Sequence, residues 1–219
     1  MIELKNKTSL AEDICEYLRN AIFNNQIKPG EQLNELKIIE ELGVSRSPVR
    51  EAICVLEGEG LIERIPRRGA FVKKTTRKKI QEIFRIRAVL ESMAAEEAAL
   101  QFSKADLKSL ENIFERMRKA VNGNNAKLYV KFNYEFHKKF IKLANNKTLE
   151  ELLKNLGKQS NWFMLTAFSI RHSTEVSLKE HFKIFEAFAK RDPDLAAKTV
   201  RKHIAEGGKR VLEVLRDVI

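Results

Sequence analysis

GVSRSPVREAICVLEGEGLIERIPRRGAFV, residues 43–72, reads as one capped helix followed by a tight two-stranded wing. Gly43 makes a turn, and Ser45 and Ser47 are candidate caps for the helix that follows. Pro48 falls in the first helical turn, where a missing N–H costs little. Val49, Ala52, Ile53 and Leu56 then recur at helical spacing and make a core face. Arg46 and Arg50, four residues apart, share the opposite face. Gly58 and Gly60 end the helix, residues 61–65 read as a short strand, and 70–72 as its return. Between the strands, Pro66-Arg67-Arg68-Gly69 forms a tight basic turn. A helix whose first turns carry two arginines and two hydroxyls fits a major groove, with arginine gripping guanine O6/N7 or phosphate. Arginines at a wing tip suit a phosphate backbone or a minor groove.

SRSPVREAICVLEGEGLIERIPRRGAFV closely resembles the winged helix-turn-helix of the GntR family of bacterial transcription regulators. IKPGEQLNELKIIEELGV just before it resembles that family's run into its second helix, so the likeness covers residues 8–73. The resemblance implies a DNA-binding set of Ser45, Arg46, Ser47, Arg50, Arg67, Arg68 and Gly69. One departure matters. Such regulators usually carry an arginine directly after the glutamate of the second helix, whereas Glu35 is followed here by Leu36 and Lys37. Lys37 is expected to take over the phosphate contact, as a point charge and not as a bidentate fork.

At 219 residues the chain has room for two domains, each able to bury a core. Four prolines and nine glycines, with no repeat or low-complexity stretch, suit a mostly helical protein. MIELKNKTSL lacks the apolar stretch of a signal peptide, and no apolar run approaches the length of a membrane span. A cytoplasmic protein without a membrane partner is expected. Cys15 and Cys54 lack metal-ligand spacing and are expected as buried or part-buried thiols, with a redox switch the lesser reading. The net charge of +11 favours a polyanionic partner. Its local form says more: from Arg64 to Lys79 there are eight basic residues and no acid, on the wing and just beyond it.

Before the wing, residues 9–25 carry Leu10, Ile14, Leu18, Ala21 and Ile22 on one stripe, with Thr8 or Ser9 as cap. Pro29-Gly30 turns the chain into a second helix over 33–42, with Leu33, Leu36 and Ile39 inward. The winged domain is expected over 1–74, a connector over 75–79, and an all-α domain over 80–219. In the latter, helical patterns cover 80–102, 103–121, 126–144, 148–168, 175–190 and 193–218, the last with a candidate interruption at Gly207-Gly208. Gly123-Asn124-Asn125 and Asn145-Asn146 mark breaks. The fold class is therefore mainly α: a winged helix-turn-helix with a small β-wing, then a six-helix bundle.

Histidine placement carries the chemistry of the bundle. His137, His181 and His203 each fall on the apolar arc of a separate helix at about 100° per residue. Asn133, four residues before His137, shares its face. Two readings stay open from the pattern: hydrogen-bonded core histidines, or convergence on a divalent ion. His172 is expected at the surface, Phe163 and Phe168 in the core, and Trp162 in the core or, with Asn161, on a pocket wall.

IRAVLESMAAEEAA, NYEFH and EHFKIFEAFAKRDPDLAAKTVRKH, with the 22-residue step from His181 to His203, resemble the FCD ligand domain of FadR-like GntR regulators, over about residues 80–215. That resemblance implies Asn133, His137, His181 and His203 as metal ligands, with zinc foremost and nickel or manganese as alternatives. Asn133 departs from the commoner aspartate. A neutral amide leaves more positive charge on the ion, weakens its hold and favours an anionic ligand. Small carboxylic acids are common effectors in the family, and Arg87 resembles an arginine that could pair with one. A surface arginine beside Glu91 is the plain alternative.

Together these features imply a dimeric transcription regulator, not an enzyme. Two winged domains would read a palindromic operator on double-stranded DNA, and a divalent metal and a small carboxylate effector would modulate that binding. In an alternative the metal itself is the signal. A metal-dependent hydrolase is the weakest reading, because no acid or base is evidently paired with the histidines and the wing is left without a role.

Overall fold

The computed structural model describes residues 9–23, 26–74, 76–170 and 174–215, which form two compact units dividing at 75/76. The expectations for Thr8, Asn24–Asn25 and His172, for 216–218, and for the side chains of Asn161 and Trp162 fall outside the described residues.

The first unit runs α1 (Leu10–Phe23), β1 (Gln32–Leu33), α2 (Glu35–Leu42), α3 (Arg46–Gly58), β2 (Ile62–Ile65) and β3 (Gly69–Val72). Leu18 of α1, Val49, Ile53 and Leu56 of α3, and Val72 of β3 are fully buried and make its core. Arg19, itself buried, donates to Glu59 at 2.9 and 3.3 Å and ties α1 to the end of α3. The strands form an antiparallel sheet in the order β1-β3-β2, with Leu33 and Arg64 both opposite Ala70. Pro66 and Arg67 occupy the middle of the turn between β2 and β3, Arg67 at φ 62 and Gly69 at φ 98. Arg68 N–H donates to the Ile65 carbonyl at 3.0 Å and closes that turn.

Three sequence expectations are corrected in this unit. The Asn34 Oδ1 accepts from the N–H groups of Leu36 and Lys37, so α2 starts after Asn34, and Leu33 joins the sheet instead of the helix. That start turns Ile38 inward and leaves Leu36 60% exposed. Cys54 is exposed, on the side of α3 away from the core, while Cys15 is buried. Ser45 takes the N-cap position of α3 with extended backbone but makes no capping bond, and Ser47 lies inside the first turn. Gly43, at φ 62, ends α2 as its left-handed cap.

The second unit is helical throughout its described residues: α4 (Arg77–Ala99), α5 (Lys104–Asn122), α6 (Ala126–Leu143), α7 (Lys147–Ile170), α8 (Thr174–Ala189) and α9 (Pro193–Val214). α4 begins inside the stretch expected as a connector, capped by Thr76 Oγ1 on the Lys79 N–H. Ser103 and Asp106 form a reciprocal capping box on α5, and Asn125 and Asp192 cap α6 and α9. Asn124 and Asn145 take positive φ at the two expected breaks. α4 packs along α9 and also touches α6 and α7, while α5 packs on α6 and α8. Phe163 and Phe168 are buried, as expected.

α9 runs through Gly207-Gly208 without interruption. The glycine pair answers to packing: a Cβ on Gly208 would lie 2.7 Å from Cβ of Phe84, so α4 and α9 approach closely only because no side chain stands there.

Candidate nucleic-acid interface and histidine centre

In the first unit, the core face of α3 is closed by Val49, Ala52, Ile53 and Leu56, which fixes the opposite face outward. Arg46 and Arg50 stand on that outer face with side chains 66% and 59% exposed. Both reach Glu35 Oε2, at 3.8 and 3.9 Å. Such loose surface pairs contribute roughly 0–1 kcal/mol, so a phosphate or guanine can replace the carboxylate at small cost. Lys37 is exposed and 3.7 Å from Glu41. At the wing tip Arg67, Arg68 and Gly69 are exposed. Gln32 Nε2 donates to the Arg68 carbonyl at 2.7 Å, and the Arg68 guanidinium lies 5.3 Å from the Phe71 ring centre, so this tip is held from two sides. Arg64 of β2 donates to Glu57 Oε2 at 3.0 Å and to Cys54 Sγ at 3.3 Å, tying the wing to the exposed side of α3 near its C-terminal end.

In the second unit, α6, α8 and α9 bring His137, His181 and His203 together, all buried, with one ring nitrogen from each within 4.8 Å of the others. His137 Nε2 and His181 Nε2 are 3.2 Å apart. Every Nδ1 is engaged outward: His137 to Glu91 Oε2 at 2.6 Å, His181 to the Ser177 carbonyl at 2.7 Å, His203 to Glu180 Oε2 at 2.8 Å. A carbonyl and two ionised carboxylates can only accept, so each Nδ1 carries the hydrogen and donates.

The acids are ionised for physical reasons. Burial pushes the Glu91 carboxyl up, but the Arg87 guanidinium and His137 beside it outweigh burial and hold it at about 2. Glu180, also raised by burial, is pulled down to about 2 by His203 and Arg210. Burial drives His181 well below its ordinary value, with His203 and His137 adding to the effect. Burial also lowers His203, to about 4, against the opposing pull of Glu180. His181 and His203, lowered in this way and with hydrogen on Nδ1, turn bare Nε2 lone pairs toward the centre, where the His137 Nε2 also lies. A cation relieves that arrangement, and the donor set suits a divalent ion.

Asn133 lies one turn before His137, buried, with its amide nitrogen 3.9 Å from Met164 Sδ. Asn133, His137, His203 and Ser177 border a small cavity of about 20 Å³, room for one water or one ion. Arg87, Glu91, Asn133 and His137 also line a larger cavity of about 110 Å³, with Lys138 and Lys154 among its other walls. Arg87 is thus not a surface residue. It is buried, donates to Glu91 Oε1 at 2.8 Å and to Ser160 Oγ at 2.8 Å, and lines this cavity.

The acids are what sequence reading missed. Glu91 and Glu180 are paired with the histidines, contrary to the expectation that none would be, and Arg87 and Arg210 hold the two acids in turn. Arg87-x-x-x-Glu91 on one helical face and the Glu180-His181 pair were the available signals. Neither shows, without coordinates, which histidine an acid will reach.

A winged helix-turn-helix with arginines on its outer face, followed along the chain by an all-helical unit, has the make-up of a DNA-binding transcription regulator. Residues 10–72 match the bacterial regulatory proteins of the gntR family, and residues 82–206 match the FCD domain. The chain belongs to the GntR family and carries an FCD domain; it is a transcription regulator, not an enzyme. It is 32% identical to the HTH-type transcriptional regulator YdhC of Bacillus subtilis, over 91% of this chain and 90% of that one. It is 27% identical to the transcriptional repressor RspR of Escherichia coli, over 94% and 90% of the two chains. The gluconate operon repressor of Bacillus subtilis is 31% identical over 82% of this chain and 71% of its own. Among solved structures, the fold is shared with E. coli McbR/YncC, at TM-score 0.65 and 22% identity, covering 96% of this chain and 99% of that one. No helix among the described residues is long and apolar enough to cross a membrane.

Proposed function

We propose that the chain acts as a homodimer on a palindromic operator, and that its FCD unit holds a divalent metal and a small carboxylate effector that changes operator binding. In the first unit Arg46 and Arg50 read or grip the major groove, with Ser45 and Ser47 beside them. Arg67 and Arg68 hold the backbone or minor groove from the wing, where Gly69 keeps the backbone close, and Lys37 adds a phosphate contact. In the second unit His137, His181 and His203 are the metal ligands and Asn133 offers a neutral amide oxygen. The observation that carries this reading is the convergence of three buried imidazoles whose Nδ1 atoms are all committed elsewhere.

A bound zinc ion would supply a Lewis-acidic point with positions left for an anionic oxygen; nickel or manganese would do the same. The chain's own residues do the orienting. Glu91, Ser177 and Glu180 lock the three rings, and such outer partners tune metal affinity. Arg87 stands in the wall of the 110 Å³ cavity, paired with Glu91 and Ser160, and would meet an entering carboxylate by exchanging one of those bonds. Lys138 and Lys154 add positive charge to the same wall.

Metal content of untagged, dialysed protein, beside His137→Ala, tests the centre. About one divalent ion per chain, lost in the variant, is expected. Both forms empty after reconstitution would make the histidines core residues. Anisotropy titrations of the chain's own upstream DNA, with and without a panel of organic acids, test the regulatory half. In the second reading the metal is itself the signal. Metal-buffered titration of DNA binding separates the two, since a structural ion is saturated where a sensor responds.

A further inference from the structure

Residues 80–219 hold 26 lysines and arginines against 18 acids, a surplus for which the winged unit does not account. Part of it gathers along one groove of about 640 Å³ between α8 and α9. Lys179 and Lys183 line the groove from α8, Lys198 and Lys202 from α9, and Lys190 from just past the end of α8. The connection from Ala189 to Pro193 is short, so the two helices run antiparallel and the two lysine pairs stand at matching heights. Lys183 and Lys198 lie six and five positions from the helix ends at that turn, Lys179 and Lys202 ten and nine. The 2.8 Å bond between His203 Nδ1 and Glu180 Oε2 fixes the same register.

All five lysines are exposed, and no carboxylate among the described residues pairs with any of them. Two acids share the groove. Glu180 is already held by His203 and Arg210, at 2.8 and 2.6 Å, which leaves Glu186 to face five ammonium groups. Lys179 with Lys183, and Lys198 with Lys202, are like charges one turn apart, an arrangement that weakens the helix carrying it. Four lysines lining one cleft in this way concentrate positive potential inside it.

Shape and donor type select the occupant. A cleft of this volume is of the size that encloses a small molecule. Its lining holds no arginine, so it lacks the fork that grips a carboxylate from two sides; lysine acts as a point charge and suits phosphate. The two members of each pair are separated by roughly 6 Å along their helix, which answers to negative charge in more than one place. Val176 and Leu195 make part of the wall apolar, against which the uncharged body of a ligand can lie.

We infer that the α8–α9 groove binds a small organic compound carrying two or more phosphoryl groups, held by Lys179, Lys183, Lys198 and Lys202. The groove shares no lining residue with the 110 Å³ cavity, so this second anion site goes beyond the metal-and-carboxylate reading and does not depend on it.

Isothermal titration calorimetry of the full chain at low salt tests this. Fructose bisphosphate and adenosine diphosphate are the probes, with fructose monophosphate and succinate beside them. One bound probe per chain is expected, about tenfold tighter than the monophosphate or succinate. Lys183→Gln with Lys198→Gln should weaken it about tenfold or more, the loss of two charged donors, with circular dichroism showing the fold intact. Lys138→Gln with Lys154→Gln at the 110 Å³ cavity, and Arg67→Ala with Arg68→Ala at the wing, should leave it unchanged. Neither probe binding at millimolar concentration would overturn the site, as would binding that survives the groove pair and is lost with the cavity or wing pair. Succinate bound as tightly as the bisphosphate would overturn the phosphoryl class. If the groove pair weakens binding of scrambled duplex DNA as much as it weakens the probe, the lysines serve the DNA backbone and the small-molecule reading fails.

Discussion

Glu91 is pulled from two sides, by Arg87 through Oε1 and by His137 through Oε2, in a place with almost no water. Glu91→Gln keeps the shape but removes the charge both partners rely on. Metal affinity is expected to fall about 10–100-fold, as for the loss of an outer partner of a ligating histidine. Chelator competition measures it, and unchanged affinity would show that His137 does not need its acid. The same residues set a pH response. His181 and His203 are lowered below 6.5, so the folded metal-free chain binds fewer protons than the unfolded one as pH falls below that value. Their share of stability is complete above about 6.5 and is lost progressively toward 4. Glu91 and Glu180, lowered from 4.5 to about 2, add a second loss that begins near 4.5. Thermal unfolding of metal-free protein should therefore show Tm dropping between pH 7 and 5 and more steeply below; a flat profile across pH 7 to 5 would refute the buried neutral imidazoles.

Neighbouring glycines on α9 answer opposite questions. At Gly208 an added Cβ meets Phe84 at 2.7 Å, so Gly208→Ala overpacks the α4–α9 contact and should destabilise by about 1–3 kcal/mol. At Gly207 the nearest atom is Nη2 of Arg210 at 3.9 Å, and Gly207→Ala should stabilise by up to about 1 kcal/mol through helix propensity alone. Urea unfolding of the two variants reads the difference directly, and equal effects would mean α4 and α9 are not in close contact. A glycine pair in a sequence looks like a break because propensity is local. What overrides it here is a neighbour 124 positions away in the chain, which no local pattern contains. Elsewhere the same limit recurs at smaller scale. The periodicity of residues 33–42 is helical, yet the Asn34 side chain decides where the helix starts, and that choice rotated Leu36 outward and gave Leu33 to the sheet. By contrast the core faces of α3 and α6 were legible, because there the apolar residues recur at helical spacing and the charged ones fill the other side. The three histidines were legible for the same reason; their acids were not, since each belongs to a different helix from the ring it holds.

At the scale of the molecule, the basic surface of the winged unit makes a prediction that depends on how many copies bind. Each phosphate contact releases condensed counterions, so log affinity falls with log salt in proportion to the number of contacts. Arg67 projects from the wing tip with no carboxylate partner among the described residues, so its charge is available to a phosphate. Arg67→Ala removes one contact per chain. A single bound copy would lose about 0.9 from the salt slope, whereas a two-fold dimer would lose about 1.8, because each substitution occurs twice on one operator. Arg50 stands on the helix instead. If it reads a base edge, Arg50→Ala should cost roughly 1–3 kcal/mol per half-site and relax sequence preference more than it changes the slope. Anisotropy titrations between 50 and 200 mM salt, on operator and scrambled DNA, separate these terms. A slope change near 1.8 for Arg67→Ala, with discrimination retained, assigns the wing to the backbone on both half-sites. A change near 0.9 would mean that one winged domain engages at a time and would contradict simultaneous reading of a palindrome, even in a protein that is dimeric in solution.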